Sequence, residues 1–218
     1  MLALLHTSPV HVPVFDALRD EAHPGLELRH HVDAGLLDGA RREGPQAVRA
    51  GVLAALRQAV ADGARAVLCT CSTIGGVAEE AAGSVGVPVL RVDRPMAAAA
   101  VAAGPRVVVL AAVESTLAPT RALVADEARR AGRPVEVRTR LVDGAWPYFE
   151  AGDADRYARL VAEAADAVTD ADADAIVLAQ ASMAPAGRLT RTRIPVLASP
   201  GPGLAAGAEA VRDGRPAV

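Results

Sequence analysis

Short apolar runs alternate with amphipathic stretches along the whole chain. The runs at Leu2 to Leu5, Leu26 to Val32, Ala66 to Thr70, Val87 to Val92, Arg106 to Ala112, Val135 to Leu141, Ala175 to Ala179 and Pro195 to Ala198 predict strands. Between them the apolar spacing turns helical. Val48, Val52, Leu56 and Val60 mark a helix over Gln46 to Ala61. Further helices are expected at Val14 to Ala22, from about Val77, and at Met96 to Ala103, Leu117 to Arg130, Asp153 to Val168 and Leu204 to Val211. The helix from Asp153 carries acidic residues early, where the helix dipole favours them. Strands regularly separated by helices predict an α/β fold with mainly parallel sheets.

An internal repeat runs through this pattern. Ala-Arg-Ala-Val-Leu-Cys-Thr-Cys-Ser-Thr, followed by Val-Pro-Val-Leu-Arg-Val at Val87, has a counterpart further on. It is Ala-Asp-Ala-Ile-Val-Leu-Ala-Gln-Ala-Ser-Met, followed by Ile-Pro-Val-Leu-Ala-Ser at Ile194. Leu5-His6-Thr7-Ser8-Pro9 likewise matches Val113-Glu114-Ser115-Thr116-Leu117. One explanation is the common look of α/β units in an Ala/Val-rich chain; the other, adopted here, is duplication. The expected architecture is two similar lobes, each a parallel sheet flanked by helices, related by a pseudo-twofold with the site in the cleft between them. Residues 1–96 with 200–218 form the first lobe, and 97–199 the second.

Composition narrows the function classes. Hydrophobic residues make up 51% of the 218 positions but aromatics only 2%, so the core rests on Ala, Val and Leu. A net charge of −3 argues against a nucleic-acid partner. All 23 basic residues are arginine. Without lysine there is no Schiff base for pyridoxal phosphate and no phosphate-loop lysine. No apolar run is long enough for a membrane span, and Met1 to Leu5 reads as a strand and not a signal peptide. Cys69 and Cys71 are the two cysteines, and their spacing on one strand lacks disulfide geometry. Both are read as reduced, which places the protein in the cytoplasm.

Cys71 is the leading candidate for chemistry. It stands at the carboxyl end of a predicted strand, before Ser72-Thr73-Ile74-Gly75-Gly76, a turn into a helix. Strand ends are where open α/β sheets bind ligands, and the N–H groups of a helix start favour an anion. Cys69, inside the strand, is read as core. No His/Cys/Asp spacing resembles a metal site.

These turns resemble those of the aspartate/glutamate/hydantoin racemase superfamily over nearly the whole chain. Cys71-Ser72-Thr73 is similar to its first cysteine turn. Leu178-Ala179-Gln180-Ala181-Ser182-Met183 resembles the second, with Gln180 where the second cysteine would stand. Thr7 and Ser8 match the first substrate-binding turn, and Ser115 and Thr116 the hydroxyl-bearing turn of the second lobe. The resemblance implies a cofactor-independent, racemase-like isomerase, a homodimer or other homo-oligomer, acting at the carbon next to the carboxylate of a small substrate. Cys71 would act as acid–base or nucleophilic residue. Gln180 would narrow the chemistry, because a carboxamide exchanges no proton in the useful range. Thr7, Ser8, Ser72, Thr73, Ser115, Thr116 and Ser182 would hold the carboxylate and the developing charge. The alternatives are a single-cysteine decarboxylase or hydrolase of the same superfamily, and a non-catalytic binder of small carboxylates.

Other residues admit two readings each. Thr7, Ser8, Ser72, Thr73, Ser115 and Thr116 either contact a ligand or cap helices. His6, His30, His31 and Glu114 are candidates for a second proton donor, and His30 and His31 must face opposite ways. Gly144-Ala145-Trp146-Pro147-Tyr148-Phe149 reads as a loop serving as lid or dimer contact. Arg91 and Arg94 either bind an anion or form surface ion pairs.

Overall fold

A computed structural model describes residues 1–214. The chain divides into two compact units. The first comprises Met1–Val92 and the segment from Pro200. It carries β1 (Leu2–His6), α1 (Val12–Ala22), β2 (Leu28–Val32), α2 (Ala34–Glu43), α3 (Arg49–Ala61), β3 (Ala66–Cys69), α4 (Ser72–Glu80) and β4 (Val89–Arg91). The second, Asp93–Ser199, carries α5 (Arg94–Ala103), β5 (Arg106–Ala111), α6 (Leu117–Ala131), β6 (Glu136–Leu141), α7 (Trp146–Glu150), α8 (Ala154–Asp166), β7 (Ala175–Leu178) and β8 (Val196–Ala198). Helix α9 (Pro200–Asp213) then returns the chain to the first unit.

Each unit holds one four-stranded sheet, and all pairings are parallel. The strand orders are β2-β1-β3-β4 and β6-β5-β7-β8, the same topology twice. The ladders give residue equivalences: Leu2 lies beside Ala66 as Val107 lies beside Ala175, and Leu5 beside Cys69 as Leu110 beside Leu178. Helix α9 packs on α1, β3 and β4 as α5 packs on α6, β7 and β8. The last helix thus supplies the first sheet with the layer that α5 supplies to the second.

The strands follow from their side chains. β1, β3 and β7 are buried along their whole length, as apolar central strands covered on both faces should be. The edge strand β6, Glu-Val-Arg-Thr-Arg-Leu, presents charge, which guards an open edge against pairing. In the first sheet Ala3, Leu5, Val67 and Cys69 face one apolar cluster with α3 and α4. Leu2, Leu4, Ala66 and Leu68 face another with Phe15, Leu204 and Val211. Helix α9 comes very close to the sheet: a Cβ on Gly203 would lie 2.5 Å from the Val92 carbonyl oxygen.

Three segments depart from the sequence pattern. The stretch after Asp33, where the apolar pattern marks no element, is helix α2, whose buried residues are only Leu36, Gly39 and Ala40. Its sparse apolar face gives no periodic signal, and Gly39 lets Val48 pack close against it. Helix α4 starts at Ser72 and not near Val77, because Gly75 and Gly76 lie inside it, under the Arg91 side chain. The aromatic stretch is no loop: Trp146 opens α7, and Trp146, Tyr148 and Phe149 pack against the second unit's core.

Candidate active site

Cys71 follows β3 by two residues in extended conformation (φ −108°, ψ 117°) and is the N-cap of α4. Its side chain is half-buried and packs on the cluster that contains Leu5 and Cys69. Both thiols are free of disulfide. The Cys69 thiol is fully buried and donates to the Cys71 carbonyl oxygen at 3.7 Å, the core role expected for it. Ser72 and Thr73, both buried, form the first turn of α4. A Cβ on Gly75 would sit 3.2 Å from the Arg91 Nε, so a guanidinium lies against the turn that Cys71 opens. Backbone N–H dipoles and a cation therefore converge on one helix start, an arrangement that favours negative charge.

Thr7 and Ser8 leave the carboxyl end of β1. Thr7 is buried and Ser8 half-buried. Ser8 precedes the 3-10 turn Pro9–His11 without a side-chain cap bond. Thr116, which precedes α6, makes none either. The capping role open to these two hydroxyls is not taken up.

The second unit repeats the layout with different side chains. By ladder position Gln180 is the counterpart of Cys71, and its backbone (φ −117°, ψ 141°) matches. Its Oε1 accepts from the N–H groups of Ala112, at 2.6 Å, and Val113, at 3.2 Å. By the same ladder positions Ala112 and Val113, and not Ser115 and Thr116, correspond to Thr7 and Ser8, so the match of Leu5-His6-Thr7-Ser8-Pro9 to Val113-Glu114-Ser115-Thr116-Leu117 is about three residues out of register. The turn after β5 thus grips an sp² oxygen with two successive backbone N–H groups. With its carbonyl held, the amide nitrogen of Gln180 is left to donate. Ser115 Oγ is buried without a hydrogen-bond partner. The Ser182 hydroxyl, expected among the substrate contacts, is bonded to the Tyr157 hydroxyl at 2.9 Å. Burial pushes the Tyr157 phenol up to about 12, so it stays protonated.

The histidines answer a question the sequence left open. His6, the last residue of β1, is fully buried. Its Nδ1 lies 2.8 Å from Thr70 Oγ1 and its Nε2 2.8 Å from His30 Nδ1. His30 Nε2 continues to Asp16 Oδ1 at 3.3 Å. Burial, then the neighbouring His30, His11 and His31, lower the His6 pKa to about 3. A neutral ring with both nitrogens engaged is no proton donor, so His6 drops out of that role. His31 turns the other way, toward Asp62 at 3.8 Å. Sequence reasoning weighed these histidines singly and missed Thr70 and Asp16. The available signal was that His6 continues the Leu2, Leu4 face and Thr70 the Ala66, Leu68 face.

The remaining candidates are placed plainly. Glu114 is exposed. Arg94 pairs with Asp126 and Glu127, an ion pair as expected for one of its readings. Arg91 is buried. Among the described residues no group of three or more His, Cys, Asp or Glu side chains could hold a metal ion. Among the same residues no helix is long and apolar enough to cross a membrane.

Comparison with known proteins gives the lineage of this layout. The family model described as Asp/Glu/Hydantoin racemase matches residues 11–206. No curated protein matches the sequence. Among solved structures, a glutamate racemase isoform from Bacillus anthracis superposes with a TM-score of 0.75 at 14% identity, covering 98% of this chain and 82% of that one. Allantoin racemase from Klebsiella pneumoniae gives 0.69 at 15% identity, with 98% and 88% covered. A sulfate-associated mutant of arylmalonate decarboxylase gives 0.65 at 18% identity, with 98% and 94% covered. At these identities the likeness is one of fold.

Proposed function

This chain belongs to the Asp/Glu/hydantoin racemase family, and from that premise we propose that it is a cofactor-independent enzyme acting at the carbon next to a carboxylate, with Cys71 as its single catalytic thiol. The observation that carries this reading is the pairing of equivalent positions: Cys71 and Gln180 hold the same ladder place in two like sheets. A thiol can take and return a proton; a carboxamide cannot. The chemistry is therefore one-sided: Cys71 removes or delivers the proton on one face of the α-carbon, and the matching proton is exchanged with solvent.

The carboxylate is bound by Thr7, Ser8, Ser72 and Thr73. Two features support this assignment. The turn of the second unit that matches Thr7 and Ser8 holds the Gln180 carboxamide oxygen by two N–H groups, and a carboxylate oxygen has the same planar acceptor geometry. Ser72 and Thr73 add the N–H groups of the first turn of α4, a natural anion site. As the bound acid loses its α-proton or a carboxyl group, charge builds on its oxygens. Donors fixed in advance then stabilise that charge more than they stabilise the substrate.

Isomerisation and decarboxylation share this enediolate chemistry. The missing second thiol and the likeness in fold to arylmalonate decarboxylase favour keeping decarboxylation as the second reading. Solvent deuterium exchange into a panel of α-substituted carboxylic acids, followed by mass spectrometry, tests both. Incorporation at the α-carbon is expected, with carbon dioxide release if a malonate is the substrate. Both signals should vanish in Cys71→Ala. A protein that binds these acids without exchange or carbon dioxide release would be a carboxylate binder and not an enzyme.

A further inference from the structure

The hydrogen-bonded chain through His6 runs from the middle of β2 across the carboxyl ends of β1 and β3 in the first sheet. It starts at Asp16 on α1, passes His30 on β2 and His6 on β1, and ends at Thr70, the residue between β3 and Cys71. His6 and Thr70 are nearly or fully shielded from solvent. Phe15 lies against the His6 ring at 5.6 Å between centroids, and His30 stacks on it at 5.1 Å. The second unit has no such chain. By ladder position its counterparts of His6 and Thr70 are Ala111 and Ala179. The polar belt therefore exists only in the unit that carries the thiol.

The hydrogens can be placed from the acceptors. The Leu5 carbonyl oxygen accepts from the Thr70 hydroxyl at 3.1 Å and from the Thr70 N–H at 3.0 Å. A carbonyl only accepts, so the single hydroxyl hydrogen points to Leu5. Thr70 Oγ1 must then accept from His6 Nδ1–H. A neutral His6 ring has a bare Nε2, which accepts from His30 Nδ1–H. His30 Nε2 faces Asp16 Oδ1 at 3.3 Å, a salt bridge when both ring nitrogens of His30 carry hydrogen, and Asp16 also pairs with Arg19 at 3.3 Å. From His30 Nδ1 through His6 Nδ1 to the Thr70 hydroxyl the donors point toward the Leu5 carbonyl, and such aligned bonds strengthen one another. The chain ends on a carbonyl and offers no proton to a substrate. It also lies on the Phe15 side of the sheet, whereas Cys71 packs on the Leu5 side.

We propose that Asp16, His30, His6 and Thr70 form a positioning belt that fixes the exit of the chain from β3, and with it the seat of Cys71 at the start of α4. This inference rests on the role given above to Cys71. Thr70 is held at both its N–H and its hydroxyl, so the backbone that follows has one trajectory. Asp16 locks the belt from the surface end. Its carboxylate keeps His30 oriented, and His30 keeps His6 in the Nδ1–H form that Thr70 needs.

Two measurements test the belt without any substrate. Long-range ¹H–¹⁵N spectra of the histidine rings should show His6 as the Nδ1–H tautomer, and Asp16→Asn, at a half-exposed position, should perturb the His6 signals. Alkylation of Cys71 by iodoacetamide, followed by mass spectrometry across pH with buried Cys69 as the internal control, reads the seat of the thiol. His11, His31 and Arg19 face the belt, whose own His30 and Asp16 also carry titratable groups, so the same pH series is run on each variant. Thr70→Val should slow Cys71 alkylation by about tenfold, as expected for a misplaced reactive group, and Thr70→Ser should restore it. An Nε2–H tautomer of His6, or a Thr70→Val protein alkylated at the wild-type rate or faster, overturns the belt. Neither outcome touches the deuterium-exchange assay, so a failed belt and a failed enzyme are told apart.

Discussion

Cys71 and Gln180 occupy one position in two copies of a sheet, and the difference between them is chemical and also mechanical. The thiol is left half-buried at a helix start. The carboxamide is bound to its own unit, closing two backbone N–H groups that β5 leaves unpaired. Gln180→Leu keeps the size of the side chain but deserts both donors. It should lower stability by about 1–3 kcal/mol, the cost of stranding buried N–H groups. Urea unfolding gives the loss, and faster amide hydrogen exchange at Ala112 and Val113 identifies its source. Cys71 was legible in the sequence because chemistry, strand end and turn glycines coincide within a few residues. The partners of His6 were not, because Asp16, His30 and Thr70 come together only when three strands and α1 are assembled.

Helix starts and close approaches decide what the elements can do. Gly75 and Gly76 read as a turn in sequence, yet they let α4 begin at Ser72 beneath Arg91 and make Cys71 its N-cap. Glycine was the misleading signal there, because its second use, room for a neighbour, leaves no mark on local pattern. The same use recurs in α9. Gly203→Ala would drive a methyl into the Val92 backbone, with contacts of 2.5 Å to its carbonyl oxygen and 2.9 Å to its Cα. Backbone yields less readily than a side-chain tip, so the variant should lose about 1–3 kcal/mol or more. A lowered thermal midpoint checks this. Gly201→Ala, which meets nothing within 4 Å, serves as control and should sit within about 0.5 kcal/mol of the parent. Helices α2 and α7 show the other limit of pattern reading: each is short, and each is held by what packs on it.

At the scale of the whole molecule the buried histidines couple folding to pH. His6 falls from 6.5 to about 3, and burial also lowers His11. In the unfolded chain both take up a proton as pH drops below their ordinary value, and in the folded chain they resist it. The unfolded state then binds more protons, so stability falls with falling pH from about 6.5 downward and is level above it. One such histidine contributes a slope of about 1.4 kcal/mol per pH unit. Between neutral pH and about pH 5 the loss from His6 alone is roughly 2 kcal/mol. Urea midpoints across that range should show it, and His11→Gln should flatten part of the slope.

The sequence by itself determined the alternation of strand and helix, the parallel sheets, the doubled topology and the place of Cys71, because apolar periodicity and turn residues act over a few positions at a time. Tertiary structure alone decided where α4 begins, which sheet α9 completes, what Gln180 holds, and that His6 is buried with both ring nitrogens engaged. Those outcomes depend on hydrogen bonds and contacts between residues distant in the chain, and local pattern carries no record of distance.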